Sequence, residues 1–261
     1  MRTRESWAND LARDFNISIS ICTRLPLGFS APIETCDIAR ASWAFPLAGF
    51  LVGGAGALAY AAALGLKLPS TLAAALALSA TLLVTGCLHE DGLADTADGL
   101  GGGRDRARKL EIMRDSRLGT YGACALAISL LLRWAALAAL ASPVPVAPAL
   151  IAAHVSARAA LPVFMHFVPP ARLDGLSAQA GQPGPRAAAV AAALGVVTLL
   201  TALGLIAAMI GLIVAACAGL LMARLTMRQI GGQTGDVLGA VEQIIEIAIL
   251  FTAVAMSGRW S

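Results

Sequence analysis

Acidic residues are concentrated in residues 89–99, which read HEDGLADTADG. Asp91, Asp95 and Asp98 stand at positions i, i+4 and i+7, so a helix would align the three carboxylates along one face. Carboxylates this close repel one another, and a divalent cation that prefers oxygen ligands removes that cost. Mg²⁺ is commonly held by one or two carboxylates together with substrate phosphate and water. The spacing therefore predicts a metal site, with a solvated acidic helix cap as the alternative.

A second polar motif, EIMRDSRLGTYG, occupies residues 111–122. Arg114 and Arg117 are three residues apart, and on a helix they would together grip phosphate oxygens, because a guanidinium group presents a planar fork of donors. Asp115 would orient one of these arginines or accept a proton. The alternative interpretation is ordinary positive charge at the start of a membrane helix.

A third motif, GGQTGDVLGA, occupies residues 231–240. Its glycines allow backbone N–H groups to crowd around an anion, and Gln233, Thr234 and Asp236 add polar groups at the same depth. A glycine-rich loop alone is weak evidence for a binding site. Its weight depends on whether the fold brings it to the same membrane face as the aspartates.

The elements that must position these motifs are membrane helices. Of the 261 residues, 58% are hydrophobic and 13% are charged, whereas soluble domains carry roughly 25% charged residues. The many small residues allow helices to approach closely where lipid offers no hydrophobic drive for association. A net charge of +3 provides no broad basic surface, so nucleic acid is not an expected partner. The sequence predicts an all-α, polytopic helical bundle in a lipid bilayer.

About seven transmembrane helices are expected, because a span needs about 20 mainly apolar residues. All of them belong to a single membrane domain, residues 1–261. Residues 17–29 contain Arg24 and Pro26 and are expected to form an interfacial or re-entrant helix. The predicted spans are residues 42–66, 68–88, 118–141 and 146–167, two spans within 187–225, and residues 240–256.

The distribution of basic residues predicts the orientation. With seven spans, 15 of the 19 Lys and Arg residues fall on one side, and cytoplasmic flanks retain positive charge. The three polar motifs share that side. We therefore expect a multi-pass protein of the cell inner membrane whose active site faces the cytoplasm.

Charged residues also occur inside the predicted spans. His154 and Arg158 are one helical turn apart, as are Glu242 and Glu246, and ionisable groups at that depth must face protein or water. His154 and Arg158 would either line a cavity for substrate or form a structural pair satisfied by Glu242 or Glu246.

The three motifs, in the same order, resemble the signature stretches of the cobalamin synthase family. Residues 23–26, TRLP, and residues 45–47, FPL, also resemble the N-terminal pattern of that family. One position departs from it: Glu90 stands where the family usually has an apolar residue. This fourth carboxylate leaves open which acids contact the metal.

The resemblance implies an adenosylcobinamide-GDP ribazoletransferase. In that reaction a ribose hydroxyl of α-ribazole, or of its 5′-phosphate, attacks the cobinamide-side phosphorus of adenosylcobinamide-GDP, and GMP leaves. Mg²⁺ is the implied cofactor, and homo-oligomer formation stays open. The implied site comprises Asp91, Asp95 and Asp98 as metal ligands, Arg114, Asp115, Arg117 and Gln233 as substrate-binding residues, and Asp236 or His89 as the catalytic base.

Two other functions fit parts of the sequence. A CDP-alcohol phosphotransferase also uses aspartates at a membrane boundary, but its DxxDGxxAR pattern does not fit, because three residues separate Asp91 from Asp95 and no AR follows. A transporter would explain the charges inside the spans. The densest polar motifs, however, lie in loops rather than at mid-membrane.

Overall fold

The structure is a computed structural model that describes residues 4–26, 35–115 and 117–258. Within these residues the chain is all-α and contains no β-strand, as predicted. The helices in chain order are α1 (Arg4–Cys22), α2 (Thr35–Ala41), α3 (Phe45–Gly65), α4 (Ser70–Thr85), α5 (Leu88–Gly102), α6 (Arg106–Ile112), α7 (Thr120–Leu140), α8 (Pro143–Phe167), α9 (Leu176–Ala180), α10 (Pro185–Leu203), α11 (Leu205–Gln229) and α12 (Gly235–Met256).

Six of the seven predicted membrane spans are confirmed, and the predicted span at residues 68–88 corresponds to the shorter helix α4. Six helices, α3, α7, α8, α10, α11 and α12, are each long and apolar enough to cross a bilayer. The bent pair α4 and α5 passes the same test of length and composition only when its two helices are counted together, as a broken span or a re-entrant loop. The apolar stretch at 187–225 divides into α10 and α11 as expected, because Gly204, with φ +79°, interrupts the helix.

The bundle is built around α8 and α12. Each of these helices has 67% of its apolar window buried, whereas the windows of α10 and α11 are 22% buried. Helix α3 packs tightly on α8 at Gly49 and Gly53, where a Cβ atom would collide with the α8 carbonyl oxygens of His154 and Leu150. The side chains of α10 and α11 therefore face mainly lipid.

A sharp break separates α4 from α5. Gly86 and Cys87 both adopt left-handed backbone conformations, with φ of 67° and 60°, and α5 turns by 88° from α4. Because of this turn α5 does not continue in the direction of α4 but lies across the end of the bundle. The aspartate motif is thus carried on a helix set almost at right angles to α4.

Helix α1 precedes the spans and is not among the helices that can cross a bilayer. Its C-terminal part is inserted into the protein, with Ile17, Ile19 and Cys22 buried, and it packs against α3. Part of the predicted interfacial segment, residues 27–29, lies outside the described residues.

Loops from distant parts of the chain meet at the end of the bundle that carries α5, which we call the loop face. Ala171 N–H donates to the carbonyl of Gln233 (2.8 Å), and Gln233 N–H donates to that of Pro169 (2.9 Å). The guanidinium of Arg106 donates to the carbonyls of Ile230 (2.7 Å) and Ala171 (2.5 Å). The three predicted motifs therefore share one face.

Candidate active site

A close crossing of α5 and α12 sets up the site. A Cβ atom on Gly92 would lie 2.8 Å from the carbonyl oxygen of Asp236 and 3.1 Å from the Cα of Gly239, so only glycine permits this approach. The crossing joins the aspartate helix to the first turn of α12. As a result Asp91 and Asp95 lie near Asp236, a group that we call the acid cluster.

The acid cluster is open to solvent and strongly negative. Asp91 is exposed, Asp95 is half-buried, and the side chain of Asp236 is 21% exposed. Partial burial raises the pKa of Asp95 to about 7, and the neighbouring charges of Asp91 and Asp236 add to the rise. Repulsion between these carboxylates costs free energy unless a cation binds among them. The oxygen-only donor set matches the ligands that Mg²⁺ prefers.

Asp98 lies on the same helix but has a structural partner. Its two carboxylate oxygens accept hydrogen bonds from the backbone N–H groups of Gly119 (2.7 Å) and Gly122 (2.9 Å). These N–H groups belong to the start of α7, where the first turn of a helix leaves its donors unpaired. A Cβ atom at either glycine would collide with the carboxylate. Asp98 therefore caps α7, and its assignment as a metal ligand stays a prediction.

The cation beside the acid cluster is Arg172, in the loop after α8. One terminal nitrogen lies 3.6 Å from a carboxylate oxygen of Asp236. The other terminal nitrogen is buried and has no hydrogen-bond partner among the described residues. Thr234 caps α12 and donates its hydroxyl to Asp236 (3.0 Å). Arg172 thus places a guanidinium with one unpartnered nitrogen next to the carboxylates.

The predicted arginine pair is arranged differently from the expectation. Arg114 and Arg117 follow the end of α6 at Ile112, so they do not share a helical face. Arg114 pairs with Asp174 (2.5 Å), and Arg117 pairs with Asp115 (2.5 Å). Hydrogen bonds from Arg117 lower the pKa of Asp115 to about 2. Arg114, Arg117 and Asp174 are exposed and Asp115 is 36% exposed, and each guanidinium already has a carboxylate partner.

Gln233 is buried, with 1% of its surface exposed. Its side-chain oxygen accepts a hydrogen bond from the hydroxyl of Ser177 (2.6 Å), and its backbone pairs with residues of the loop after α8. The observed contacts of Gln233 therefore hold two loops together beneath the site. Its predicted contact with substrate stays a prediction.

A second polar group lies inside the bundle, beneath α5. We call it the buried network, and it joins α5, α7, α8 and α12. Arg133 donates to Glu90 (3.0 Å) and Glu246 (3.3 Å), and Arg158 pairs with Glu242. Gln243 donates to Glu90 (3.1 Å) and Glu242 (2.9 Å). The network consists of His89, Glu90, Arg133, His154, Arg158, Glu242, Gln243 and Glu246.

His89, a predicted base, belongs to this network and not to the acid cluster. It is 4% exposed, and its Nδ1 lies 3.3 Å from Arg158 and 3.7 Å from Glu242. His154 is likewise enclosed by Arg158 (3.0 Å) and Glu246 (3.4 Å). The interpretation of His154 and Arg158 as a structural pair satisfied by the glutamates of α12 is confirmed.

Part of the buried network has the spacing of a metal site. The potential ligand atoms of His154, Glu242 and Glu246 lie within 4.8 Å of one another, which no other His, Cys, Asp or Glu trio in the described residues achieves. The guanidinium groups of Arg133 and Arg158 already contact these carboxylates. They supply the positive charge that a metal would bring, so we place no metal there.

Sequence reasoning missed Arg172 as a site residue, because one arginine in a loop carries no spacing signal. It also missed the pairing of Arg133 with Glu90, which lie on different helices. Glu90, which replaces an apolar residue of the family pattern, offered a signal. A carboxylate on a helix that packs against the bundle needs a buried cation as its partner. Arg133, inside a predicted span, had no expected partner and could have been matched with it.

Comparison with known proteins gives consistent results. A profile of the family described as "Cobalamin-5-phosphate synthase" matches residues 14–254. A protein of Bradyrhizobium diazoefficiens named "Adenosylcobinamide-GDP ribazoletransferase" is 61% identical over 242 residues, which is 93% of each chain. A protein of the same name from Mesorhizobium japonicum is 51% identical over 94% of each chain. Another from Azorhizobium caulinodans is 48% identical over 91% of this chain and 93% of its own. No solved structure matches the chain.

Proposed function

The chain belongs to the cobalamin-5-phosphate synthase family, and from that premise we propose that it is an adenosylcobinamide-GDP ribazoletransferase. The enzyme joins adenosylcobinamide-GDP to α-ribazole or α-ribazole 5′-phosphate and releases GMP. The observation that carries the proposal is the 61% identity to a protein of that name over 93% of both chains. The site geometry supports it independently, because phosphoryl transfer requires charge neutralisation and positioning more than covalent chemistry.

We propose that Asp91 and Asp95 hold Mg²⁺. They lie one turn apart on α5, one is exposed and the other half-buried, and their mutual repulsion favours a bound cation. When bound, the ion would neutralise charge on the pyrophosphate of the substrate. Asp98 is less suited to this role because both of its oxygens already accept backbone hydrogen bonds.

Arg172 is proposed as the arginine that binds the phosphate. Its side chain is 17% exposed and its guanidinium lies 3.6 Å from Asp236, so it can stabilise negative charge on a phosphate bound beside the acid cluster. Arg114 and Arg117 would first have to leave Asp174 and Asp115. They remain candidates for substrate contacts further from the reacting phosphorus.

Asp236 is the better placed of the two predicted bases. It lies between Arg172 and the aspartates of α5, so a ribose hydroxyl positioned for attack on the bound phosphate would be within its reach. Its carboxylate can accept the hydroxyl proton as the new P–O bond forms and GMP departs. His89 is enclosed in the buried network and would require a rearrangement of α5 to act.

The loop face is proposed to face the cytoplasm. Support comes from the excess of Lys and Arg on that side, since basic flanks are retained there, and from adenosylcobinamide-GDP, whose charged pyrophosphate does not cross a bilayer unaided. The membrane would be the cell inner membrane. An impermeant thiol reagent applied to intact cells should label a cysteine introduced near Lys67 and leave one near Arg106 unlabelled.

Release of GMP by the purified protein in liposomes tests the proposed reaction. The assay should contain adenosylcobinamide-GDP, Mg²⁺ and either α-ribazole or its 5′-phosphate, and GMP should appear only when both organic substrates are present. A CDP-alcohol with an alcohol acceptor serves as the matched control. Turnover of the CDP-alcohol without turnover of adenosylcobinamide-GDP would contradict the proposal.

A transporter is the alternative from another class. The buried charges that suggested it form ion pairs across helices, Arg133 with Glu90 and Glu246, and Arg158 with Glu242. Charges paired in this way hold a bundle together and do not require an ion path. Ion flux in the same liposomes, without GMP release, would favour the transporter.

A further inference from the structure

An apolar cavity of about 420 Å³ lies between α8, α10, α11 and α12. Its volume is within the range typical of sites for small organic ligands. Along α8 the lining extends from Ser156 to Val168, which is about 18 Å at a rise of about 1.5 Å per residue. That length is close to the hydrocarbon depth of one leaflet, about 15 Å, half of a core about 30 Å thick.

The cavity arises from the way two peripheral helices pack. Helix α10 packs mainly on α8, whereas α11 packs mainly on α12 and hardly touches α8. The two are joined at Gly204, the end remote from the loop face. The wall on α11 includes Gly219, where a Cβ atom would meet no other atom within 4 Å. An unfilled space therefore extends between the two helices.

The lining excludes a polar occupant. Ser156 is its single polar residue among the described residues, and all others are apolar or glycine. Phe167 and Leu220, at its edge, are 75% and 58% exposed, so the cavity is continuous with the surface that faces lipid. Nucleotide or corrinoid phosphates would lose their hydration there without compensation. A hydrocarbon chain has no polar groups whose hydration would be lost on entering.

Positive charge lies at the loop-face ends of α10 and α11, beyond the cavity lining. Arg186 lies in the first turn of α10, and Arg224 and Arg228 lie in the last two turns of α11. All three are exposed, and none forms an ion pair with a carboxylate of the described residues. Basic residues at the ends of membrane helices attract anionic lipid headgroups.

We propose that this cavity is a binding site for one anionic phospholipid. An acyl chain occupies the space between α10 and α11, and the phosphate of the headgroup contacts Arg186, Arg224 and Arg228. The lipid fills a gap that would otherwise leave α11 weakly attached, because dispersion contacts are lost wherever a wall faces empty space. The site is independent of the proposed reaction, since its lining includes no member of the acid cluster.

The chain-binding half of the proposal is tested by filling the cavity. Gly219→Phe places a ring in the space without a steric clash on α11. Gly54→Phe is the matched control, because a Cβ atom at Gly54 on α3 would also meet no other atom within 4 Å, but Gly54 lies outside the lining. Protein in mild detergent is incubated with phosphatidylglycerol and phosphatidylcholine, and retained lipid is counted by native mass spectrometry.

We expect wild type and Gly54→Phe to retain one phosphatidylglycerol molecule, and Gly219→Phe to retain at least ten-fold less. Thermal unfolding in detergent verifies that both variants are folded. If folded Gly219→Phe retains as much phosphatidylglycerol as Gly54→Phe, the cavity is not the site. If Gly219→Phe does not fold, incubation of wild type with phosphatidylglycerol bearing a bromine on its acyl chain is the second measurement. The bromine is then located in a structure of the complex. If its density lies anywhere other than between α10 and α11, the proposal is wrong.

The headgroup half is tested by charge. Replacing Arg186, Arg224 and Arg228 together by Gln should remove the preference for phosphatidylglycerol over phosphatidylcholine, and Lys67→Gln, on the opposite side, should preserve it. Glycerol phosphate, which has no acyl chain, should not displace the bound lipid. An unchanged preference for phosphatidylglycerol in the triple variant would contradict the proposal. Displacement of the lipid by glycerol phosphate would also contradict it, because it would indicate a site for soluble phosphates.

Discussion

The buried network and the acid cluster each contain three carboxylates, and they differ in what neutralises them. In the network, Glu90, Glu242 and Glu246 contact two guanidinium groups that lie almost wholly inside the bundle. In the acid cluster, the neighbouring cation is Arg172, 3.6 Å from Asp236, and Asp91 is exposed to solvent. The first group brings its own counter-charges, and the second leaves negative charge for a ligand to neutralise.

Burial inside the protein explains the difference. A buried carboxylate without a partner costs several kcal/mol, so the network cannot exist without its arginines. At the loop face, water stabilises surplus charge until a cation binds. Carboxylates paired with guanidinium groups inside the bundle hold helices together, and carboxylates open to solvent can bind a cation. Substitutions in the two groups should therefore have opposite effects on stability and activity.

The largest expected effect is on stability, from removing a cation of the buried network. Arg158→Met leaves Glu242 without its ion pair, and we expect a loss of about 3–5 kcal/mol in the free energy of unfolding. This loss is measured by unfolding the variant and the wild type in nanodiscs. The double variant Arg158→Met, Glu242→Met should recover much of the loss. A single variant as stable as wild type would contradict a structural role for the network.

The second prediction concerns activity without a loss of stability. Asp95→Asn preserves the shape of the side chain and removes one charge from the acid cluster. We expect GMP release to fall at least ~10²-fold, as when a main electrostatic stabiliser is removed, with unfolding unchanged or shifted to higher temperature. Higher Mg²⁺ should partly restore Asp91→Asn, whose side chain is the more exposed. Near-normal rates at limiting Mg²⁺ would refute the metal assignment.

The third prediction separates Asp98 from its neighbours. Asp98→Ala removes the acceptor for the N–H groups of Gly119 and Gly122, so we expect a loss of about 1–3 kcal/mol in the free energy of unfolding. Asp98→Asn retains one acceptor oxygen and should lose less. If Asp98→Asn instead loses activity as strongly as Asp95→Asn while its stability is unchanged, Asp98 is a metal ligand after all.

The fourth prediction compares two arginines. A Lys side chain has the same charge as Arg but lacks the planar guanidinium that binds two phosphate oxygens at once. Arg172→Lys should therefore raise the KM for adenosylcobinamide-GDP by about ten-fold. Arg114→Lys, whose guanidinium pairs with Asp174 in solvent, should stay within about two-fold of wild type. The reverse order would move the phosphate site from the loop after α8 to the segment between α6 and α7.

The smallest effect is a pH dependence of metal binding. The pKa of Asp95 is about 7, above its usual value, so its carboxyl binds a proton as pH falls below 7. A proton and a metal compete for the same oxygens. We expect the Mg²⁺ concentration for half-maximal activity to rise between pH 7.5 and 6, by at most about ten-fold per unit. A constant value over this range, measured by titration of GMP release, would contradict the competition.

The sequence alone determined the all-α class, the spans and the shared face of the three motifs. Apolar stretches of sufficient length have few other outcomes in a bilayer, since every backbone N–H and C=O must be paired within the segment. The alignment of Asp91, Asp95 and Asp98 on α5 also followed from local spacing, because helical periodicity is a property of consecutive residues.

The partners of each charge were decided by tertiary structure. Asp98 caps α7 and Arg172 approaches Asp236 because α5 turns by 88° after α4 and crosses α12 at Gly92. His89 and Glu90 enter the buried network, whereas Asp91, next in sequence, remains exposed. Consecutive residues on a helix point in directions about 100° apart, so sequence proximity does not determine which one meets protein and which one meets solvent. That choice depends on packing between helices distant in the chain.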